Sequence, residues 1–405
     1  MPAAHSSALA ISLWLNVVMV MSTVSLFAVP VLAPAIGADL ATPTALVGVF
    51  AGTIWATSLV TAIAAGTLIA RFGAWRVTQL GLLLCASGLF AGATGNLAGL
   101  ALAAVLIGLG NGAETPTSSQ LLARSVPPQR RAAYFSLKQT GVQIGGVATA
   151  VVFPLLAAYM NWRAALAIGG AAVLVFMLLV ERPRRRYAQL GTPGPVSTIQ
   201  FRAAFAAIKR HRVLRRLAIA AAAFGAAQVC LNSFMVSYAV AERGVTLAQA
   251  GVLLAVAQSG GLIGRLAWGW IASHYVSALS ILRGLGAAMA AFSLIVGVAG
   301  AVAPEWFMLP LCFVFGLTAS GWNGVFLAEI SHEVPLEQVG ATTGAIIVIM
   351  TLGLVFGPLV FAAIQAVWSY GGAFIVLAAI AAAGTIALPR RMSAVDSTRT
   401  SGGLP

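Results

Sequence analysis

Three ionisable side chains stand inside stretches that are otherwise apolar: Glu114, Lys138 and Arg265. An ionised group taken out of water is costly, so its retention in such a stretch points to function. Arg265 presents a planar fork of donors that fits a carboxylate or another planar anion. The plainer role for it is a structural arginine held by backbone carbonyls or an acidic partner. Glu114 lies in Gly110-Asn111-Gly112-Ala113-Glu114-Thr115-Pro116. A carboxylate whose surroundings alternate between dry and cation-paired can load and release a proton. It can also be locked in a permanent pair with Lys138 or Arg265. The long stem of Lys138 equally lets its ammonium snorkel to a membrane surface.

Neutral polar residues form a second tier of candidate substrate contacts: Asn111 and Gln139 beside these charges, and Gln228, Asn232, Trp322 and Asn323 further on. Asn16 and Ser25 belong with them. Any one of these alone more often joins two helices by a hydrogen bond. Glu329 and Arg283 lie nearer helix ends and suit gating or topology.

The elements that must position these groups follow from composition. Of 405 residues, 60% are hydrophobic and 8% charged, whereas soluble domains carry about 25% charged residues. The bilayer accepts apolar side chains directly, and its core demands about 20 apolar residues per spanning helix. Apolar stretches of that length lie near 11–36, 45–70, 76–95, 97–123, 133–160 and 163–181. Six more lie near 214–240, 247–272, 276–302, 305–330, 339–367 and 370–388. The expected fold is all-α with twelve transmembrane helices in two six-helix bundles. Its divisions are a bundle over 1–181, a cytoplasmic linker over 182–213, a second bundle over 214–389 and a tail over 390–405.

At 1.5 Å per residue, Arg265, eight residues before Ser273, lies about 12 Å deep. Glu114, ten residues before Arg124, is about 15 Å deep, and Lys138 about 10 Å in from Arg131.

The net charge of +14 would suggest nucleic acid in a soluble chain, but its placement assigns it to the membrane. Arg71, Arg76, Arg124, Arg130, Arg131 and Arg283 fall in loops or helix ends on one side. The cluster Arg182, Arg184, Arg185, Arg186, Arg202, Lys209, Arg210, Arg212, Arg215 and Arg216 joins them, with Arg390, Arg391 and Arg399. The other side receives Arg163 and Arg243. Both termini are therefore expected in the cytoplasm, and the first helix is retained rather than cleaved as a signal peptide.

Cys85, Cys230 and Cys312 match no metal or redox spacing. The histidines His5, His211, His274 and His332 fall in cytoplasmic segments or at helix edges, and no HExxH or GxxxxGK[ST] occurs. An enzyme, a primary pump and a receptor are disfavoured, and no cofactor or metal is expected.

The chain also repeats itself. ALVGVFAG at 45–52 aligns with AQAGVLLA at 248–255, a shift of 203 that also sets Gly66 on Gly269. IGLG at 107–110 aligns with FGLT at 315–318, a shift of 208 that places Val126-Pro127 on Val334-Pro335, Gly145 on Gly353 and Glu114 on Trp322. Parallel halves of this kind form one layout of secondary transporters, with the substrate site between them at the midplane.

These features resemble the major facilitator superfamily. Its signature between the second and third helices is represented by Gly66-Thr-Leu-Ile-Ala70-Arg71-Phe-Gly73-Ala-Trp-Arg76, with Ala70 where the family has Asp. The counterpart, Gly269-Trp-Ile-Ala-Ser273-His274-Tyr275, is degraded in the same way. Gly66, Arg71, Gly73, Arg76, Gly269 and, on the same side, Arg131 thus form a candidate gating set whose usual charge latch is altered. The fifth helix, Phe135-Ser-Leu-Lys138-Gln139-Thr-Gly141-Val-Gln143-Ile-Gly145-Gly146, followed by Asn161-Trp162-Arg163, resembles the cyanate and nitroimidazole branch. In anion-carrying members an arginine of the eighth helix binds substrate, and the resemblance implies that role for Arg265.

The resulting expectation is a monomeric secondary transporter of a bacterial inner membrane. It would move a small carboxylate-like or inorganic anion by alternating access, in symport with protons taken by Glu114. An exporter of drugs or other amphiphiles on the same fold is the alternative.

Overall fold

The computed structural model describes residues 2–127, 130–191, 206, 208–333 and 336–389. Arg202, Arg390, Arg391 and Arg399 lie outside the described residues. The first bundle is built from α1 (Pro2–Leu40), α2 (Leu46–Phe72), α3 (Ala74–Ala93), α4 (Leu97–Gly112), α5 (Glu114–Ser125), α6 (Arg131–Tyr159) and α7 (Trp162–Leu179). A short α8 (Glu181–Arg186) follows. The second contains α9 (Arg212–Arg243), α10 (Leu247–His274), α11 (Ala278–Ala299), α12 (Glu305–Ala319), α13 (Trp322–Glu333), α14 (Leu336–Val367) and α15 (Tyr370–Ala387). Among the described residues, twelve helical stretches are long and apolar enough to cross a membrane. Helices satisfy their own backbone groups, which the hydrocarbon core requires.

Polar caps set where several of these helices start. The side chains of Asn96, Asn161, Ser277 and Ser369 each accept a first-turn amide, at the starts of α4, α7, α11 and α15. Thr246 and Gln249 close a reciprocal capping box at the start of α10. Because successive spans run antiparallel, the loops rich in arginine share one face, which we call the basic face. On the opposite face Arg163 pairs with Asp39 at 2.7 Å. Arg243 there donates to the carbonyls of Gly300 and Ala303.

Two stretches expected as single spans are broken. The fourth is interrupted at Ala113, between α4 and α5, and the tenth at Ser320 and Gly321, between α12 and α13. Glu114 opens one half-helix and Trp322 opens the other. The two residues that align under the 208 shift thus occupy the same place in the two bundles.

Packing repeats in the same way. Gly145 of α6 lies against the Val20 carbonyl of α1, and Gly353 of α14 against the Ala222 carbonyl of α9. Gly108 of α4 meets the Ile54 carbonyl of α2, and Gly316 of α12 meets the Ala257 carbonyl of α10. Ile54 and Ala257 are 203 apart, and Gly108 and Gly316 are 208 apart. The crossings between bundles are paired too: Gly48 of α2 against Pro358 of α14, and Gly251 of α10 against Ala150 and Pro154 of α6. Tyr370 donates to Thr44 at 2.8 Å beside them. These inter-bundle crossings all lie toward the opposite face.

A Cβ at Gly316 would collide with backbone of α10, whereas one at Gly284 meets nothing within 4 Å. Gly316→Ala is therefore expected to cost about 1–3 kcal/mol through overpacking. Gly284→Ala should shift stability by less than about 1 kcal/mol, in the stabilising direction. Thermal denaturation of the purified variants in detergent checks both.

Candidate functional site

The break at Ala113 turns Glu114 into the first residue of α5, where exposed amides and the helix dipole favour a carboxylate. Lys138 of α6 meets it: Nζ to Oε2 is 2.7 Å, with side chains 0% and 5% exposed. Lys138 is wholly buried and does not snorkel to the surface. Thr115 Oγ1 also donates to Glu114 Oε2 at 3.2 Å, and the Phe135 ring lies 5.6 Å from the ammonium. Glu114 Oε1 is buried with no hydrogen-bond partner among the described residues. Glu114 further lines a cavity of about 10 Å³ with Ser22, Thr78 and Gly110, close to the least room a water needs.

Asn16 of α1 fixes the stretch of α6 that carries Lys138. Its Nδ2 donates to the Leu137 carbonyl at 2.8 Å, the Lys138 carbonyl at 3.3 Å and Thr140 Oγ1 at 3.0 Å. Gly141, one turn on, lies against the Asn16 carbonyl. The lysine therefore sits on an α1–α6 seam held by side-chain bonds and a close backbone approach.

Between the bundles, α6 and α10 meet through a reciprocal arrangement. Gln143 Nε2 donates to Gln258 Oε1 at 3.3 Å, and Gln258 Nε2 donates to Asn232 Oδ1 of α9 at 3.4 Å. The Gln143 amide lies over Gly261, and the Gln258 amide over Gly146. This antiparallel register places Arg265 one turn further along α10 from Gly261 toward the basic face, as Gln139 lies one turn from Gln143 on α6. Arg265 Nε is buried without a hydrogen-bond partner among the described residues. Lys138 and Glu114 thus pair inside the first bundle, while Arg265 stands on α10 of the second.

The remaining candidates divide. Asn111 and Gln139 are half-buried on α4 and α6, close to the charges in sequence. Asn323 Nδ2 donates to Gln228 Oε1 at 3.2 Å, joining α13 to α9 inside the second bundle. Trp322 is fully buried, edge-on to Phe224 at 5.6 Å and to Phe326 at 5.3 Å, and offers no accessible surface in this conformation.

At the basic face Gly73, with φ 78°, makes the α2–α3 turn. Arg71 is exposed over the Phe72 ring. Arg76 donates to Gln79 and lies 3.7 Å from Glu181. Arg131 donates to the carbonyls of Val126 and Ala123 at 3.1 and 2.7 Å. A Cβ at Gly269 would meet nothing within 4 Å. Where Ala70 replaces the acid of the signature, Arg71 is exposed, and Arg76 and Arg131 find their partners within the first half of the chain.

Gln143 and Gln258 were not among the expected site residues. A signal was present: Gln143-Ile-Gly-Gly146 and Gln258-Ser-Gly-Gly261 carry the same Gln-x-Gly-Gly pattern at mid-span. A glutamine followed three residues later by a glycine offers both a knob and a socket on one helical face.

The likeness to known proteins covers nearly the whole chain. The family model of the Major Facilitator Superfamily matches residues 13–358. A hexuronate transporter of Bacillus subtilis is 24% identical over 311 residues, 71% of each chain. An uncharacterized MFS-type transporter of Mycobacterium tuberculosis is 27% identical over 239 residues, 58% of this chain and 52% of that one. Among solved structures, a peptide transporter of the POT family superposes with TM-score 0.76 at 15% identity, over 94% of this chain and 93% of that one. A bacterial homolog of the human lysosomal transporter Spinster, inward-facing and occupied, gives TM-score 0.70 at 16% identity over 94% of both chains. With twelve spans, paired bundles and a family match across most of its length, this chain is a membrane transporter of the Major Facilitator Superfamily.

Proposed function

We propose that this transporter carries a small monoanion together with a proton, and that the anion is held between Arg265 and Lys138. The observation that carries the reading is the charge count at the centre: two cations and one carboxylate leave one net positive charge beside a guanidinium with an unpaired Nε. An anion seated on Lys138 competes with Glu114 for the ammonium. A carboxylate deprived of its cation in a dry site takes up a proton. Anion and proton then cross together as a neutral pair, which removes the cost of moving net charge through the bilayer.

Gln139 and Asn111 flank this space on the first bundle, and Asn232 with the Gln228–Asn323 pair flanks it on the second. The clasp of Gln143 and Gln258 closes the path toward the opposite face, and the signature glycines and arginines serve the basic-face gate. The basic face is the cytoplasmic one, in an inner membrane, by the distribution of arginine. Units spanning 1–181 and 214–389, joined through 182–213, rock about the site as a monomer. The relative named a hexuronate transporter supports the anion, since a hexuronate bears a carboxylate.

Arg265→Gln is expected to weaken anion binding about thirtyfold or more, as removal of a buried charge partner does. Ligand-induced thermal shifts across carboxylates and inorganic anions, paired with uptake into proteoliposomes, read the effect. Normal transport of every anion substrate by that variant sinks the proposal. Glu114→Gln should keep anion exchange while losing accumulation driven by a proton gradient. Unchanged gradient-driven accumulation would remove the proton from the mechanism. Lys138→Met leaves Glu114 buried without its cation and should cost about 3–5 kcal/mol, most of it recovered in the Lys138→Met, Glu114→Leu double variant. Melting temperatures of the three proteins separate this architectural role from the transport phenotype.

A further inference from the structure

A second charged cluster, remote from the central site, lies where α3 and α7 meet at the basic face. Glu181, at the start of α8, accepts from Arg184 Nε at 2.6 Å and Nη2, and from Arg185 Nε at 2.9 Å. The buried Gln79 donates to it at 3.2 Å and accepts from Arg76 at 3.0 Å. Three arginines against one carboxylate leave the cluster with a net charge of two. Glu181 is already saturated with donors, while Arg76 and Arg185 keep side chains 55% and 77% exposed.

Directly beneath, the groove turns apolar. Leu80 and Leu83 continue the Arg76 face of α3 by one and two turns, and Met177 and Leu178 form the other wall. The cavity is about 450 Å³ and open at its side. From Arg76 to Leu83 the helix descends about 10 Å, from headgroup depth into the hydrocarbon. A groove rimmed by Arg76 and by a Glu181 that Arg184 and Arg185 outweigh, over an apolar floor on a surface that spanning helices turn toward lipid, matches one kind of molecule.

We infer that this groove is a binding site for an anionic phospholipid. The phosphodiester bridges Arg76 and Arg185 at the rim, and the first part of an acyl chain lies along Leu80 and Leu83. Glu181 does not repel the phosphate, because it is spent on Arg184 and Arg185 and orients their remaining donors. The occupant sits at the junction where the first bundle ends and the connection to the second begins, and reaches the basic-face gate only through Arg76.

The test reconstitutes the full chain and its Leu83→Trp variant in phosphatidylcholine containing acyl-brominated phosphatidylglycerol or acyl-brominated phosphatidylcholine. The fluorescence added by the new indole is followed. Quenching should be stronger with the brominated anionic lipid at equal mole fraction. Adding Arg76→Gln and Arg185→Gln should lower that preference about tenfold or more, from a contribution near 1 kcal/mol per surface arginine. Native mass spectrometry of the otherwise unaltered protein gives an independent reading: retained phosphatidylglycerol should fall in the double arginine variant, and phosphatidylcholine should not. Equal quenching by the two brominated lipids, or a preference that survives loss of both arginines, overturns the site. Displacement of the lipid by millimolar glycerol phosphate would also overturn it, by showing a pocket for a soluble phosphate.

Discussion

Helices in lipid gain little by trading one apolar surface for another, so they hold together where backbones come close or polar groups bond. Close approach is the constraint on which this architecture rests. Glycines at 108, 145, 316 and 353 let a carbonyl of the neighbouring helix sit where a side chain would otherwise be. Each is matched by a glycine at the equivalent place in the other bundle. The bundles themselves cross through Gly48 and Gly251, each against a proline-bearing segment of the partner helix. The duplicated sequence therefore yields both the two bundles and the paired seams that join them.

Against that tight background the polar groups are few and localised. The Glu114–Lys138 pair is set by two backbone features, the interrupted helix at Ala113 and the Asn16 bonds to α6. The mirror position in the second bundle is occupied by Trp322, packed among Phe224 and Phe326. The scaffold is symmetric and the chemistry is not. One bundle carries a charged pair at its helix break, the other an aromatic plug with Arg265 on a neighbouring helix.

The glutamine clasp shows how register creates proximity. Gln143 and Gln258 each fill the notch left by a glycine on the facing helix, and Asn232 extends the chain into the second bundle. That pairing fixes the antiparallel register of α6 and α10 at mid-span.

By itself the sequence determined the membrane class, twelve spans, the duplication and the positions of the buried charges. Hydropathy, arginine placement and repeated glycines act locally or at constant spacing along the chain, so they can be read in one dimension. The family is legible for the same reason, through Gly66, Arg71, Gly73 and Arg76. Tertiary structure decided which cation meets Glu114. Lys138 and Arg265 are both possible partners in sequence, and the α1–α6 seam sets Lys138 against it at 2.7 Å, buried, while Arg265 Nε has no hydrogen-bond partner among the described residues. It also decided that Ala113 and Ser320 interrupt apparently continuous spans, that Trp322 is packed away, and that two glutamines join the bundles. Each of these depends on the azimuth and register of helices distant in sequence, and those angles are set by packing.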